Sequence, residues 1–175
     1  MKGVLLAMLA LCAGCASYTW RSSVPSGMRT VSVPTFRNET DVTELGAVAT
    51  RQVLREFQRE GTFKIASADD AALEIQGVLK SSEASTPDFR RETSTRAYEH
   101  LLSVKAEFTL VDRRNGKVLF DNRVYKAETS FFSDSDVVTG RRGASGRLAE
   151  DLARQIVDDV VAGGWDKKGE AAKKE

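Results

Sequence analysis

Few residues in this chain could do chemistry. Two thiols, Cys12 and Cys15, lie near the N-terminus, and the one imidazole is His100. Nucleophilic catalysis needs a nucleophile beside a base, and phosphate chemistry needs a glycine-rich loop opening a helix; the sequence carries neither motif. Asp134 and Asp136, beside Ser133 and Ser135, offer oxygen ligands, but the remaining ligands of a calcium loop are missing. With one histidine and both cysteines at the N-terminus, no zinc site and no other metal is expected. The chain therefore reads as no enzyme, without a bound cofactor. Two arginine groups remain, Arg90, Arg91 and Arg96, then Arg141, Arg142 and Arg147. A guanidinium pairs with phosphate through two parallel hydrogen bonds. The competing reading of both groups is ordinary salt bridging and solubility. His100 reads as a surface or edge residue, and Asp158 and Asp159 as solvated helix positions.

Cys15 has the most informative neighbourhood. Lys2 precedes an apolar run, Val4 to Leu11. The run is shorter than the ~20 apolar residues a membrane-spanning helix needs, and it has the anatomy of a secretory signal. Ala13 and Gly14 then stand directly before Cys15. That arrangement resembles the bacterial lipobox, in which diacylglycerol is attached to the cysteine thiol and the chain is cut before it. Residues 1–14 are accordingly expected to be a signal peptide, with Cys15 the lipidated first residue and 15–27 a tether. Plain secretion with a chance cysteine at the cut site is the competing reading. Cys12 stands where a lipobox usually has Leu, with Leu11 one place further back; it is the poorer lipid site, because bulky Leu11 precedes it. Ala16 follows Cys15 where an Asp would favour retention at the inner membrane. The expected location is the periplasmic face of the outer membrane, held durably because several acyl chains bind where one only visits.

Of 175 residues, about 160 would remain after cleavage, enough for one domain with a single core. Hydrophobic content of 41% and charged content of 29% are those of a globular domain. A formal net charge of +1 gives no basic field for nucleic acid. With both cysteines at the signal boundary, the domain must be stable by packing, without a disulfide.

The elements that position these residues follow from periodicity. Met28 to Phe36 reads as a strand, with Pro34 at an edge or bulge. Asp41 and Glu44 have capping-box spacing ahead of a helix over about Val42–Glu60, with Leu45, Ala49, Val53 and Phe57 on one stripe and Gly61 ending it. Phe63-Lys64-Ile65 alternates briefly. Leu73 to Lys80 reads as a strand, and Ser81 to Ala97 as a long loop or the frayed end of a hairpin. Leu102 to Leu110 alternates cleanly. Asn115-Gly116 signals a tight hairpin, and the return strand, about Val118–Ser130, changes parity part-way, which suggests a bulge. Phe131 and Phe132 would point to opposite faces of a strand, unless both are buried. From Ser145, Leu148, Leu152, Ile156 and Val160 step along a second helix that Gly163-Gly164 ends. The tail 165–175 reads as disordered.

The expected fold class is α+β, a two-layer sandwich with two helices packed on one face of a mixed four-stranded sheet, in the order β-α-β-β-β-α. The expected core is Val31, Val33, Leu45, Val53, Phe57, Leu73, Ile75, Leu79, Val104, Phe108, Leu110, Phe120, Leu148, Leu152 and Ile156.

The run Met28-Arg29-Thr30-Val31-Ser32-Val33-Pro34-Thr35-Phe36-Arg37-Asn38-Glu39-Thr40, placed shortly after a lipobox, is similar to the opening of the LptE family of lipopolysaccharide-assembly lipoproteins. The resemblance continues through Arg59-Glu60-Gly61, the Asp69-Asp70-Ala71 turn, Leu73-Glu74-Ile75-Gln76-Gly77 and the C-terminal helix, so that residues 28–164 form an LptE-like domain. It implies a non-enzymatic lipoprotein that plugs and assembles the LptD outer-membrane β-barrel and assists insertion of lipopolysaccharide into the outer leaflet. The implied partners are an LptD-like barrel, lipopolysaccharide and, through the lipid on Cys15, the outer membrane. Lipopolysaccharide carries phosphates, so Arg90, Arg91, Arg96, Arg141 and Arg142 are candidate contacts to it or to the barrel. The alternative function is another outer-membrane-tethered periplasmic binding module, such as a cell-wall synthase regulator or a secretion-channel component. Such proteins open similarly but usually carry a longer, doubly wound α/β domain.

Overall fold

A computed structural model describes residues 24–85, 98–133 and 137–163. Cys12, Cys15, Arg90, Arg91, Arg96, Asp134, Asp136 and the tail lie outside them. The elements are β1 (Thr30–Ser32), β2 (Arg37–Asn38), α1 (Leu45–Glu60), β3 (Lys64–Ile65), β4 (Leu73–Ser85), β5 (Tyr98–Asp112), β6 (Lys117–Ser133) and α2 (Val137–Val161). The sheet runs β3-β1-β4-β5-β6, with β2 also paired to β4. β1 lies parallel to both β3 and β4, and β4, β5 and β6 form an antiparallel meander. The fold is the expected α+β arrangement of two helices on a mixed sheet, enlarged from four strands by the short β2 and β3.

Proline explains one of the extra strands. Of the stretch Met28–Phe36 read as one strand, only Thr30–Ser32 is strand; pairing stops at Pro34, which has no N–H to give a ladder, and resumes as β2 at Arg37–Asn38, just beyond the expected strand. Ser32 pairs with Glu74 and Arg37 with Val78, so five steps on one side match four on the other. The extra residue is the bulge expected there. Thr50 on α1 secures it: its hydroxyl accepts the Phe36 N–H at 3.0 Å and donates to the Gly46 carbonyl at 2.8 Å.

The start of α1 departs from expectation. Glu44 is the N-cap residue but makes no side-chain cap bond, and Asp41 turns away toward α2. Asn38, fixed by the β2 pairing, organises this turn instead. Its amide donates to the Val42 carbonyl at 2.8 Å, and its carbonyl oxygen accepts from the Thr40 hydroxyl at 2.7 Å. Gly61 ends the helix as expected, at φ +83°, with its N–H on the Phe57 carbonyl.

Every residue of the expected core is buried except Val33, which packs against the core half-buried. At its centre the Phe36 ring meets Phe108 edge-on at 4.9 Å above Gly77. A β-carbon on Gly77 would come within 2.4 Å of the Phe108 ring and 2.6 Å of the Phe36 ring. Only glycine fits under this pair, so two of the quoted motifs meet in one packing cluster.

The long hairpin is firmer than its sequence suggests. β4 and β5 stay paired out to Ser85 and Leu101. The turn between β5 and β6 spans Arg113–Gly116, closed by the Gly116 N–H on the Asp112 carbonyl, two residues longer than the tightest Asn-Gly hairpin. The parity change in β6 is real: Phe108 pairs with Arg123 but Leu110 with Phe120, and Asn122 adopts φ +44°. Phe131 is buried and stacks on the half-buried His100, while Phe132 is 66% exposed. Asp159 is not solvated as expected. It accepts from Arg123 at 2.6 Å and from the Tyr125 hydroxyl at 2.5 Å, tying the end of α2 to β6. Burial, and then that carboxylate, push the Tyr125 phenol well above its ordinary range. Further back along α2, Gln155 donates to the Lys126 carbonyl and Arg147 to the Ser130 carbonyl. These bonds occupy polar groups of β6, the edge strand, that another chain could otherwise pair with.

Candidate functional site

Of the arginines singled out in the sequence, the described residues include Arg141, Arg142 and Arg147. Arg147 is held at the β6 edge. Arg141 and Arg142 sit in the second turn of α2, beside the start of α1. Consecutive helix residues diverge by about 100°, so neighbours in sequence meet different surroundings.

Arg141 turns inward. Its two terminal nitrogens each lie 2.8 Å from an oxygen of Asp41, and one of them is 2.9 Å from the Ser82 hydroxyl. This fork-on-fork pair joins α2 to the approach of α1 and, through Ser82, to β4. The hydrogen bond from Arg141 holds the Asp41 carboxyl below the usual carboxylate range, against the desolvation that would raise it. The Arg141 Nε is buried without a hydrogen-bond acceptor among the described residues.

Arg142 is exposed and lines a cleft of about 620 Å³ between the starts of the two helices. Val42, Leu45, Val48 and Val138 give the cleft apolar walls. No hydrogen bond or ion pair to Arg142 is present among the described residues. A cleft with apolar walls, an uncommitted guanidinium and two carboxylates on its lining can hold an amphiphile that sets an anionic group against Arg142. The carboxylates are those of Asp41 and Glu44, and among the described residues no cluster of three metal-ligating side chains occurs.

Asp41, Ser82 and the valines escaped sequence reasoning as site residues. They are up to 100 positions from Arg141, and nothing local announces a contact that only the finished fold makes.

The family model for lipopolysaccharide-assembly LptE proteins matches residues 28–161, from just before β1 to the end of α2. The chain belongs to the LptE family. It is accordingly a lipoprotein of lipopolysaccharide assembly and not an enzyme. A search of curated protein sequences gave no match. Among solved structures, a hypothetical protein from Chlamydia trachomatis is similar at a TM-score of 0.54 and 14% identity, covering 78% of this chain and 96% of that one. A protein from Xanthomonas campestris is similar at 0.53 and 10% identity, covering 81% and 88%. At such identities the likeness is one of fold alone. Against this LptE-family background the quoted motifs have visible jobs. Phe36 and Gly77 build the core, and Asn38 and Thr40 shape the turn into α1.

Proposed function

We propose that this LptE-family chain is anchored through a lipid on Cys15 to the periplasmic face of the outer membrane. There it occupies the lumen of an LptD-like β-barrel, supports the barrel's assembly and assists insertion of lipopolysaccharide into the outer leaflet. The observation that carries this reading is the family match spanning the whole folded domain. The division of the sheet into two faces supports it. One face is packed under α1 and α2. The other presents Lys80, Lys105, Glu107, Lys126 and Glu128, joined in part by ion pairs, with Val124 and Phe132 exposed among them. A face of that polarity suits the polar interior of a large barrel.

Within this reading Arg142, with Arg90, Arg91 and Arg96, contacts lipopolysaccharide phosphates or the barrel. Arg141 is already committed to Asp41 and Ser82, so its part is to position Arg142. The test is affinity purification of the full chain from detergent-solubilised outer membrane. Co-purification of one large β-barrel protein is the expected result. Recovery of a cell-wall synthase or a secretion ring in its place would overturn it. Mass spectrometry of the mature N-terminus tests the anchor, with the lipid expected on Cys15; lipid on Cys12, or no lipid, would refute that assignment.

A further inference from the structure

Helix α2 is built from two unlike halves. From Leu148 on, Leu148, Leu152, Ile156 and Val160 are fully buried, with Ala149, Ala153 and Val157 beside them. The first turns read Val137-Val138-Thr139-Gly140-Arg141-Arg142-Gly143-Ala144-Ser145-Gly146. Three β-branched residues and three glycines in ten positions are a poor helix sequence. Of these residues, Ala144 and Ser145 are buried, while Val138 is 67% exposed. The first turn holds no acidic residue, and two arginines follow it near the positive end of the helix dipole. The Ser145 hydroxyl bonds back to the Arg141 carbonyl, a contact that favours bending.

Gly143 and Gly146 are not explained by packing. A β-carbon on Gly143 or Gly146 would meet nothing within 4 Å. Alanine would fit at both and would strengthen the helix. Arg141 ties these turns to Asp41 and Ser82, and buried Ala144 and Ser145 seat their last turn.

We propose that residues 137–146 form a flap that opens independently of the rest of α2, latched by Arg141 on Asp41 and Ser82. Opening removes the wall of the cleft that carries Val138, Arg142 and Gly146, uncovers Leu45 and Val48 on α1, and frees the Arg141 guanidinium. The cleft between the helices is thus the closed state of a larger apolar site, and access to it is set by the latch. This stands whether or not the chain plugs a barrel.

Hydrogen exchange read by mass spectrometry on the full chain in detergent tests it. Amides 138–147 are expected to exchange faster than amides 148–161. Gly143→Ala with Gly146→Ala is expected to slow exchange in 138–147 by about fivefold per glycine and to leave 148–161 unchanged. Asp41→Ala is expected to speed exchange in 138–147 alone. Equal protection of the two halves in the natural chain would overturn the proposal. So would an alanine pair without effect, or an Asp41→Ala chain in which both halves change together.

Discussion

The two ends of the domain use paired arginines in opposite ways. At the β5–β6 turn, Arg113 closes on Glu74, and Arg114 grips Asp112 through Nε at 2.9 Å and a terminal nitrogen at 2.7 Å. Asp112 is 1% exposed there, and Arg114 also reaches the Gly27 carbonyl. Both arginines are spent on sealing the end of the sheet where the chain enters the domain. At the other end, Arg141 pairs with Asp41, whose side chain is 59% exposed, and Arg142 pairs with nothing among the described residues. Adjacent arginines are therefore not a functional signal in themselves. What separates a seal from a site is whether each guanidinium has a buried carboxylate to close on.

The largest effect should come from the sealed end. Asp112→Ala removes two hydrogen bonds to a guanidinium and the carboxylate that accepts the Arg114 N–H at 3.0 Å. The expected loss is ~2 kcal/mol, read as a lower urea midpoint at unchanged slope. If Asp112→Ala and Asp41→Ala prove equal, the contrast between the ends collapses. Acid should report the same asymmetry. The hydrogen bonds from Arg114 hold the Asp112 carboxyl below its usual range despite burial. A carboxyl depressed in the folded state adds stability above its unfolded value, about 3.9, and that stability is lost as pH falls through the folded value. Stability should therefore drop below about pH 4, and Asp112→Ala should flatten the drop.

The sequence made the local features legible and not the contacts that the finished fold makes. The alternation of β4, β5 and β6, the two i, i+4 stripes and Gly61 each follow from a local period or a single backbone requirement, and these appear where expected. Pro34 announced its bulge for the same reason. The misread positions were decided by tertiary partners. Asp41 has capping-box spacing, but Arg141 offers it a stronger, charged donor. Asp159 has the look of a solvated helix residue, yet Arg123 and Tyr125 reach it across the layers. Residues 137–143 resist a helical reading because their composition opposes one, and contacts to α1 and β4 decide the matter. The arginines were visible as residue types, but which of them is free is a property of the fold.

A smaller effect is expected at the latch. Asp41→Ala breaks a pair whose carboxylate is mostly in water, so global unfolding should lose less than ~1 kcal/mol. A larger global loss would mean that this end is sealed as tightly as the other.

Arg142 should matter least to stability and most to binding. Its exposed side chain has no partner to lose among the described residues, so Arg142→Glu should shift unfolding by less than ~0.5 kcal/mol. Arg114→Glu should cost several times that, since it sets a second carboxylate against buried Asp112. If Arg142 contacts phosphate, Arg142→Glu should weaken lipopolysaccharide binding roughly tenfold, the worth of one charge-assisted hydrogen bond. Arg142→Lys should restore part of that by keeping the charge without the fork. Titration of the purified full chain with lipopolysaccharide reads both variants. Equal binding by the natural chain and Arg142→Glu would return Arg142 to the solvated surface and leave Arg90, Arg91 and Arg96 as the remaining candidates.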